Sequence, residues 1–510
     1  MALSENPAAE GGAGLTAFQR WAILSCIVLS GTLYSLAILV VSVLLPQMQG
    51  SLSATQDQIS WAMTFNILAT AVVTPMTGWL TARFGRRPVM LWSTGGFTLA
   101  TLGCGLSDSL LTMVLWRIVQ GGCGAPLVPL GQAVILDTFP REQHGKVTAI
   151  FGMGVVVGPV IGPALGGYLA ELYNWRWAFY MIVPLGLMAL LGLALFLTDK
   201  GKEDDARLDW TGFLALSVAV ICLQLMLSRG QRQGWFESPE IVIESAMAVL
   251  AFYVFAAHTF TARRPFLNPK LLLDRNYAVG LVVVTIYGML NFTPMVLLPP
   301  MLQDLLGFPD SAIGLILGFR GVGAVGGFFA AMWLSKLDPR VGMCLGYSMQ
   351  AVSGWFMAEF GLEITITDVA VHSIVQGLAV GIIWVPLTVA TFSTLDPRHL
   401  AESSAVFHLL RNLGSSVFIS LSVTIVIVTG AMNYADLTEF INPFNELLRM
   451  PEVMGGWSTG PEGGLARLEN EVARQAALIG YVNAFYLYSL TSAAAVPLIL
   501  LMRVKRRKAT

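Results

Sequence analysis

The stretch GVVVGPVIGPALGG at residues 154–167 decides the fold of this chain. Its glycines recur every fourth residue, so they line one face of a helix and let a neighbouring helix approach closely. Its two prolines each remove a backbone hydrogen bond and permit a bend. Because the stretch lies in an apolar run, it predicts a membrane helix that packs closely and can change shape. The pattern consists of Gly154, Gly158, Pro159, Gly162, Pro163, Gly166 and Gly167.

The composition extends this prediction to the whole chain. Of its 510 residues, 55% are hydrophobic and 12% charged, and the mean hydropathy is +0.68. Soluble domains contain about 25% charged residues. Because one helix needs about 20 apolar residues to cross a bilayer, roughly 280 hydrophobic residues would supply about 14 helices. A single anchor carrying a large soluble domain is excluded.

Apolar runs long enough to span a membrane occur fourteen times, which predicts an all-α integral membrane protein. Helices satisfy their own backbone groups, as lipid requires. No signal-peptide pattern precedes the first span, so we expect it to be retained. The predicted spans are 21–46, 58–80, 88–107, 110–136, 147–170, 178–198, 210–228, 240–258, 276–302, 311–335, 341–359, 367–392, 404–430 and 481–502.

Lysine and arginine residues are distributed unevenly between the two sides of these spans. If the N-terminus is cytoplasmic, 21 of the 30 lie in cytoplasmic segments, six in outer segments and three inside spans. Basic residues concentrate in cytoplasmic loops, so both termini are predicted to be cytoplasmic in a bacterial inner or plasma membrane. The 30 basic residues balance 31 acidic ones, and no basic patch indicates nucleic-acid binding.

Two further motifs place arginine at particular helices. The loop after the second span, GWLTARFGRRP at 78–88, is either a gating loop or an ordinary positively charged turn. In the fourth span, Arg117 lies three residues before Gln120. A buried arginine is costly, so it is normally paired or faces water; the alternative is a structural arginine that snorkels. The gating-loop residues are Gly78, Arg83, Gly85, Arg86 and Arg87.

In that order, the motifs GWLxxRxGRR, RxxQG and GxxxGPxxGPxxGG resemble those of the major facilitator superfamily. Fourteen predicted spans and WRWAFYMIVPLG at 175–186 are similar to its drug/proton antiporter branch with fourteen spans, the EmrB/QacA type. The resemblance implies two six-helix bundles related by a pseudo-twofold axis and two extra central helices. It also implies a rocking exchange of access around a midplane cavity.

The resemblance divides the chain into five segments. The outer loop within the last bundle is the largest predicted surface outside the membrane. The segments are a cytoplasmic tail at 1–20, an N-terminal six-helix bundle at 21–198, a linker with two additional spans at 199–275, a C-terminal six-helix bundle at 276–502 that includes the outer loop at 431–480, and a basic cytoplasmic tail at 503–510.

Acidic residues that this branch usually carries are missing from the chain. Ala82 stands where the loop after the second span usually has an acid. Ala37 stands where the first span usually has an aspartate implicated in coupling. No Asp or Glu lies well inside any predicted span. The coupling ion therefore stays open, with protons as one candidate.

The interior of the predicted spans is positive or neutral instead. Three arginines lie within spans, and His408 titrates near neutral pH. His408, Arg411 and Asn412 share one helix face at i, i+3 and i+4. The residues predicted to contact the substrate or the coupling ion are Arg117, Gln120, His408, Arg411, Asn412, Arg320, Asn291, Tyr34 and Asn66.

These features predict a secondary transporter of the multidrug-efflux type that exports amphipathic hydrophobic compounds by alternating access. Interior arginines without carboxylates favour neutral or anionic compounds, and Arg117 has the strongest motif match among them. Because buried carboxylates are missing, the alternative is a uniporter or importer, or a membrane receptor without transport.

Other functional classes have no pattern in the chain. No catalytic or nucleotide-binding motif occurs, so neither an enzyme nor an ATP-driven pump is expected. The five cysteines lie in apolar runs without metal-ligand spacing, and no cofactor or metal is predicted. The expected partners are a small-molecule substrate and the lipid bilayer. The outer loop at 431–480 either docks a periplasmic adaptor protein or is a surface loop without a partner.

Overall fold

The computed structural model describes residues 16–198, 208–262, 265–334, 338–396, 399–442, 445–446, 450 and 464–503. Within these residues the regular secondary structure is helical, as the sequence predicts. Most of the two predicted tails, linker residues 199–207 and the centre of the predicted outer loop lie outside the described residues.

A helix occupies every predicted span. The helices are α1 (Ala17–Ser51), α2 (Gln56–Val73), α3 (Thr77–Phe84), α4 (Arg86–Gly105), α5 (Leu110–Gly124), α6 (Leu127–Thr138), α7 (His144–Leu172), α8 (Trp177–Tyr180), α9 (Ile182–Phe196), α10 (Trp210–Arg229), α11 (Pro239–Thr261), α12 (Arg275–Pro300), α13 (Asp310–Leu334), α14 (Pro339–Met357), α15 (Ile366–Phe392), α16 (Leu400–Glu439) and α17 (Gly464–Ile499). The second span comprises α2 and α3, with Pro75 in the turn between them, and the fourth comprises α5 and α6, with Pro126 between them. Proline lacks the N–H that a continuous helix needs.

Twelve spans among the described residues are long and apolar enough to cross a membrane by length and composition. The other two predicted spans are α4 and α14, the third helix of each half of the chain. Their buried faces carry polar residues, Thr98 and Thr101 in α4 and Gln350 and Ser353 in α14. These residues lower the hydropathy without breaking the helix. The all-helical fold is confirmed, and the criterion of length and apolarity supports twelve of the fourteen spans.

Capping residues determine where several helices begin. Thr16, Thr55, Ser109 and Thr365 each accept the backbone N–H three residues later, and the side chain of that later residue returns a bond to the cap. Such capping boxes satisfy donors that the first turn of a helix leaves unpaired. Short polar segments therefore separate apolar runs at defined positions.

The glycine pattern of α7 packs against α1. A Cβ atom at Gly158 would lie 2.5 Å from the Thr32 carbonyl oxygen and 2.9 Å from the Leu36 nitrogen. Gly162 is similarly close, since its Cβ would lie 3.0 Å from the Leu36 carbonyl oxygen. Gly167 differs, because no atom lies within 4 Å of its Cβ position. Absence of side chains along the pattern allows α1 and α7 to touch through their backbones.

The two largest apolar cores are centred on an N-terminal half, α1–α9, and a C-terminal half, α12–α17, and the second core also includes Ala133 and Ala149 of the N-terminal half. Leu24 and Phe179 are buried in the first core, and Phe407 in the second. Counted as the fourteen predicted spans or as the twelve that meet the criterion, the number of spans is even, so the start of α1 and the end of α17 lie at one membrane face, which we call the terminal face. The opposite side is the far face.

The two last helices are longer than a bilayer requires. At 1.5 Å per residue, α16 and α17 measure about 60 and 54 Å, whereas the hydrocarbon core is about 30 Å thick. They pack together toward the far face, where a Cβ at Gly430 would lie 3.6 Å from the Ala476 carbonyl oxygen. Residues 431–439 and 464–480 of the predicted outer loop are therefore helical. The helical pattern runs into the last span without a breaking residue.

Candidate functional site

A cavity of about 370 Å³ lies between the two halves, near the middle of the spans. This volume suits a small ligand. Helices α1, α2 and α7 face α12, α13, α15 and α16 across it. The apolar and aromatic lining includes Ile38, Val155, Val156, Phe292, Met295 and Trp384. Such a wall contacts the apolar part of a ligand and adapts to its shape through methionine.

Seven of the nine predicted binding residues line this cavity. They are Tyr34, Asn66, Asn291, Arg320, His408, Arg411 and Asn412. Arg117 and Gln120 are not among the lining residues, and each is only 1% exposed. The tertiary structure thus brings together side chains from five helices. Arg117, the predicted residue with the strongest motif match, lies behind the cavity wall.

Arg117 joins helices within the N-terminal half. Its Nε donates to the Ala62 carbonyl oxygen at 2.9 Å, and its Nη1 donates to the Ala37 carbonyl oxygen at 3.2 Å. Nη1 also donates to Gln120 Oε1 at 2.5 Å, and Gln120 Nε2 donates to Thr101 Oγ1 at 2.8 Å. These bonds tie α5 to α1, α2 and α4. The Ala37 carbonyl oxygen thus accepts a hydrogen bond from the guanidinium group. Position 37 is the one at which the branch that this chain resembles usually has an aspartate.

Two cavity-lining residues are held by the same helix. Asn66 Nδ2 donates to the Arg117 carbonyl oxygen at 2.9 Å. The Tyr34 hydroxyl donates to Thr70 Oγ1 at 3.3 Å, and Thr70 Oγ1 donates to the Gly121 carbonyl oxygen at 3.2 Å. The polar part of the N-terminal wall is consequently oriented by α5, which does not itself present Arg117 to the cavity.

Arg320 binds the backbone of α12 close to Pro294. Pro294 has no N–H, so the Leu290 carbonyl loses its usual helical partner. At the next residue, Arg320 Nη2 donates to the Asn291 carbonyl oxygen in a short hydrogen bond and lies 3.3 Å from Asn291 Oδ1. The buried Nη1 has no partner among the described residues. Arg320 therefore joins α13 to the backbone of α12 one residue after the carbonyl group that Pro294 leaves without its helical donor.

Arg411 has fewer fixed partners. Its guanidinium donates to Asn412 Oδ1 at 3.1 and 3.3 Å and lies over the Trp384 ring, 5.6 Å from the ring centroid. Within the described part of the chain, no carboxylate pairs with Arg411, Arg320 or Arg117. A cation without a counter-ion in a low-dielectric site attracts anions strongly.

His408 links the two halves. Its Nε2 lies 2.5 Å from Gln132 Oε1 of α6, and both residues are 2% exposed. For Nδ1 the described residues supply no partner. Because Gln132 belongs to the N-terminal half and His408 to the C-terminal half, separation of the halves at this level must break the bond. Arg411 lies on the same helix, one turn further from the terminal face.

The halves meet near the terminal face. A Cβ at Gly78 would lie 2.9 Å from Glu402 Cα, which brings the start of α3 against the start of α16. Helices α7 and α13 meet in the same part of the molecule, where a Cβ at Gly152 would lie 2.8 Å from Phe328 Cζ. These close contacts, one with the backbone of α16 and one with a side chain of α13, close the cavity on the terminal side.

Toward the far face the halves separate. Gly314, Gly318 and Gly321 lie on one face of α13. A Cβ at Gly321 would lie 2.6 Å from Val160 of α7, whereas Gly314 and Gly318 have no atom within 4 Å of their Cβ positions. Since α13 begins at the far face, α7 and α13 diverge in that direction, and the cavity opens between them.

The predicted gating loop forms the sharp turn between α3 and α4. Gly85 has φ +89°, a left-handed conformation that favours glycine. Arg86 Nη1 lies 2.5 Å from Asp137 Oδ2, and Arg87 Nη2 donates to the Ala194 carbonyl oxygen at 2.8 Å. Arg83 is exposed. The loop therefore connects the terminal-face ends of four helices within the N-terminal half.

Sequence reasoning missed four residues of this site: Gln132, Gln224, Trp384 and Glu402. Gln132 and Gln224 are isolated amides in apolar spans, and that signal alone could have identified them. Trp384 and Glu402 have no local signal, because their partners lie on distant helices.

Two helical halves that meet near one face and diverge near the other, around an apolar cavity, define a two-bundle membrane transporter. The chain belongs to the major facilitator superfamily, whose family model matches residues 27–419. It is 33% identical over 417 residues to the multidrug export protein EmrB of Escherichia coli (strain K12), which covers 80% of each chain. It is 27% identical over 471 residues to the fatty acid resistance protein FarB of Neisseria gonorrhoeae, covering 91% of this chain and 92% of FarB.

A solved structure shares the fold. A double tryptophan mutant of XylE superposes with a TM-score of 0.64 at 12% identity, covering 96% of this chain and 97% of that chain. The predicted family, its EmrB type and the fold are confirmed.

Proteins of this family and fold are not enzymes in general. Among the residues that the structure describes, no group of three or more His, Cys, Asp or Glu could hold a metal ion.

Proposed function

We propose that this protein exports amphipathic hydrophobic compounds, neutral or anionic, by alternating access. The observation that carries the proposal is the central apolar cavity, lined by Arg411 and Arg320 and by no Asp or Glu among its described residues. The names of its relatives agree with it, since they are a multidrug export protein and a fatty acid resistance protein.

The terminal face is cytoplasmic in this proposal, in a bacterial inner membrane. The excess of basic residues on that side supports the assignment. The conformation described above is then open to the outside and closed to the cytoplasm. In it, the loop 78–87 orders the cytoplasmic ends of the helices, and the glycine pattern of α7 permits the rearrangement that opens them.

Arg411 binds the anionic head of the substrate, and the apolar wall binds its tail. Of the three arginines within spans, Arg117 donates to two backbone carbonyl groups and Arg320 to the Asn291 carbonyl group. Among the residues that the structure describes, the partners of the Arg411 guanidinium are an adjacent amide and an aromatic face. Charge selection is therefore assigned to Arg411 rather than to Arg117.

Transport by the purified full-length chain in proteoliposomes tests the proposal. The probes are decanesulfonate and decyl glucoside, which share a tail and keep their charge at every pH. Arg411→Gln should lower decanesulfonate transport about tenfold or more, because a hydrogen bond to a charged group contributes about 1.5–3 kcal/mol. Decyl glucoside transport should stay within about twofold, since it needs no cation.

The matched control is Arg467→Gln. Arg467 is exposed and remote from the cavity, so its replacement should leave the transport of both probes unchanged. Equal losses for both probes in Arg411→Gln would contradict charge selection. Binding of the probes without movement across the bilayer would instead identify a receptor, and downhill movement that no ion gradient can drive uphill would identify a uniporter.

A periplasmic adaptor protein is the proposed partner at the far face. The paired far-face ends of α16 and α17 support this, because they extend beyond the length that a bilayer needs.

Exposed residues to which a cross-linking reagent can be attached are Asn470 and Ala473. In cells exporting a substrate, Asn470→Cys and Ala473→Cys should cross-link to an adaptor. The control Gly50→Cys, also exposed near the far face, should not. Recovery of the transporter alone from all three variants would contradict the docking site.

A further inference from the structure

The hairpin formed by α10 and α11 stands outside both six-helix halves. Helix α11 packs mainly on α10, and most of its large apolar side chains are exposed. Helix α10 lies between α2 of the N-terminal half and α16 of the C-terminal half. It therefore covers the lateral gap through which the central cavity would otherwise meet lipid.

The hydrogen bonds from this hairpin to the halves are one-sided. Gln224 Nε2 donates to Ser416 Oγ at 3.0 Å, and the Leu227 carbonyl oxygen accepts from Ser420 Oγ at 3.0 Å. Both bonds join α10 to α16. Interhelical hydrogen bonds of this kind stabilise helix pairs in lipid, where water does not compete for the partners.

The connection from α11 to α12 is also bound to the C-terminal half. The Asn268 N–H donates to Glu402 Oε1 at 2.7 Å, at the start of α16. Asp274 accepts from Thr394 Oγ1 at 2.8 Å, beyond the end of α15. The hairpin is thus attached to one half along its length and at its exit.

Contact with the N-terminal half is apolar. Ala71 of α2 belongs to one buried cluster with Leu216 and Val220 of α10 and Leu409 of α16. Apolar contacts are non-directional, so side chains of α2 can slide over α10 without losing a specific bond. When the halves rock, we therefore expect the sliding boundary to be the apolar one between α10 and α2.

Gln224 gives this arrangement a role in binding. Its side chain lines the cavity beside Ser416, whose hydroxyl donates in turn to the Asn412 carbonyl oxygen at 3.2 Å. Asn412 is the residue that holds Arg411. An amide from the extra hairpin is therefore linked to the polar part of the C-terminal wall.

We propose that the α10–α11 hairpin is a third wall of the substrate cavity, that it moves with the C-terminal half, and that Gln224 contacts the polar head of the substrate. The inference rests on the proposed export function. In this arrangement the contact between α10 and α16 persists throughout the transport cycle. The contact between α10 and α2 changes during the cycle.

Thiol cross-linking of the full-length chain tests the movement. The five native cysteines are first replaced by serine or alanine in a variant that retains decyl glucoside transport. Ala71→Cys with Val220→Cys then joins α2 to α10 through a short bifunctional reagent, and Leu216→Cys with Leu409→Cys joins α10 to α16. The first linkage should lower transport at least tenfold, and the second should leave at least half of it. For each double-cysteine variant, the transport rate before cross-linking is the reference.

Tolerance of the first linkage, or a block by the second, would overturn the proposed movement. If the unlinked parent moves neither decyl glucoside nor decanesulfonate, the export function itself fails. The two failures are therefore distinguishable.

Substitution of Gln224 tests the contact with substrate. Gln224→Leu should raise the KM for decyl glucoside at least fivefold with kcat within twofold, and Gln224→Asn should restore part of the affinity. The control is Ser217→Ala, whose buried hydroxyl bonds only within α10 and does not line the cavity. An unchanged KM in Gln224→Leu, or an equal change in Ser217→Ala, would contradict the contact.

Discussion

At the residue scale, the buried arginines have different tasks because they have different partners. Arg117 donates to two backbone carbonyl oxygens and one amide oxygen, all within the N-terminal half. These bonds tie α5 to α1 and α2. Arg411 interacts with one amide and one aromatic ring. One residue type thus serves structure in one half and is available for recognition in the other.

Replacement of Arg117 by methionine should destabilise the protein rather than alter its charge selection. The hydrogen bonds that join Arg117 of α5 to Ala37 of α1 and Ala62 of α2 would be lost, at a cost on the order of 3 kcal/mol. We expect a lower melting temperature in detergent and an unchanged ratio of decanesulfonate to decyl glucoside transport among surviving molecules. A selective loss of the anionic probe at unchanged melting temperature would show that Arg117 acts on substrate.

At the element scale, the backbone contact of α1 with α7 determines the shape of the N-terminal half. Glycine at 158 places the α7 backbone against Thr32 and Leu36 without an intervening side chain. The same helix touches α13 of the other half through Val160 and Gly321. Movement of α7 is therefore transmitted to α1, which carries Tyr34 into the cavity wall.

A bulky side chain on the packed face should separate these two helices. Gly158→Leu would place its Cβ 2.5 Å from the Thr32 carbonyl oxygen, so α1 or α7 must shift. Overpacking costs about 1–3 kcal/mol, and transport should fall at least tenfold. Gly167→Ala is the matched control, because its Cβ meets open space. Equal transport by both variants would show that α1 and α7 need not touch.

At the scale of the whole molecule, alternation requires the contacts on the terminal side to open. Among the described residues, the hydrogen bond of His408 with Gln132 crosses between the halves there and involves an imidazole, a group that can take up a proton. The neighbouring charged and titratable groups are Arg411 on α16, Arg320 on α13, and the tyrosines at 34 and 287. Helices α6 and α15 contribute the neutral side chains of Gln132 and Trp384.

Substitution of His408 tests whether this histidine carries a coupling proton. In His408→Gln an amide can still bond to Gln132 but cannot take up a proton. We expect downhill decyl glucoside transport within about twofold of the parent, because the replacement amide keeps a hydrogen bond to Gln132. If a pH gradient stimulates transport by the parent, His408→Gln should remove that stimulation. His372→Gln is the control, because that histidine packs against Phe356 and Phe360 away from the cavity lining. Persistence of the stimulation in His408→Gln would exclude this histidine as the proton carrier.

Hydrophobic periodicity and length were sufficient to predict the helical membrane fold, because lipid leaves an isolated apolar run of this length no other way to satisfy its backbone. The glycines of α7 also predicted close packing, since no local property other than small size is needed. The same local information placed Tyr34, Asn66 and Arg411 inside spans. It could not show which direction each side chain takes around its helix.

Only the tertiary structure decided which polar residues share the cavity, because that depends on how distant helices rotate and pack against one another. Arg117 has the stronger sequence motif, yet the carbonyl groups of Ala37 and Ala62 hold it behind the wall. Gln224 lies on a helix outside both halves, yet it reaches the cavity because α10 fills the gap beside α16. Local sequence determines what a segment can form in lipid, whereas long-range packing determines which of its side chains a substrate meets.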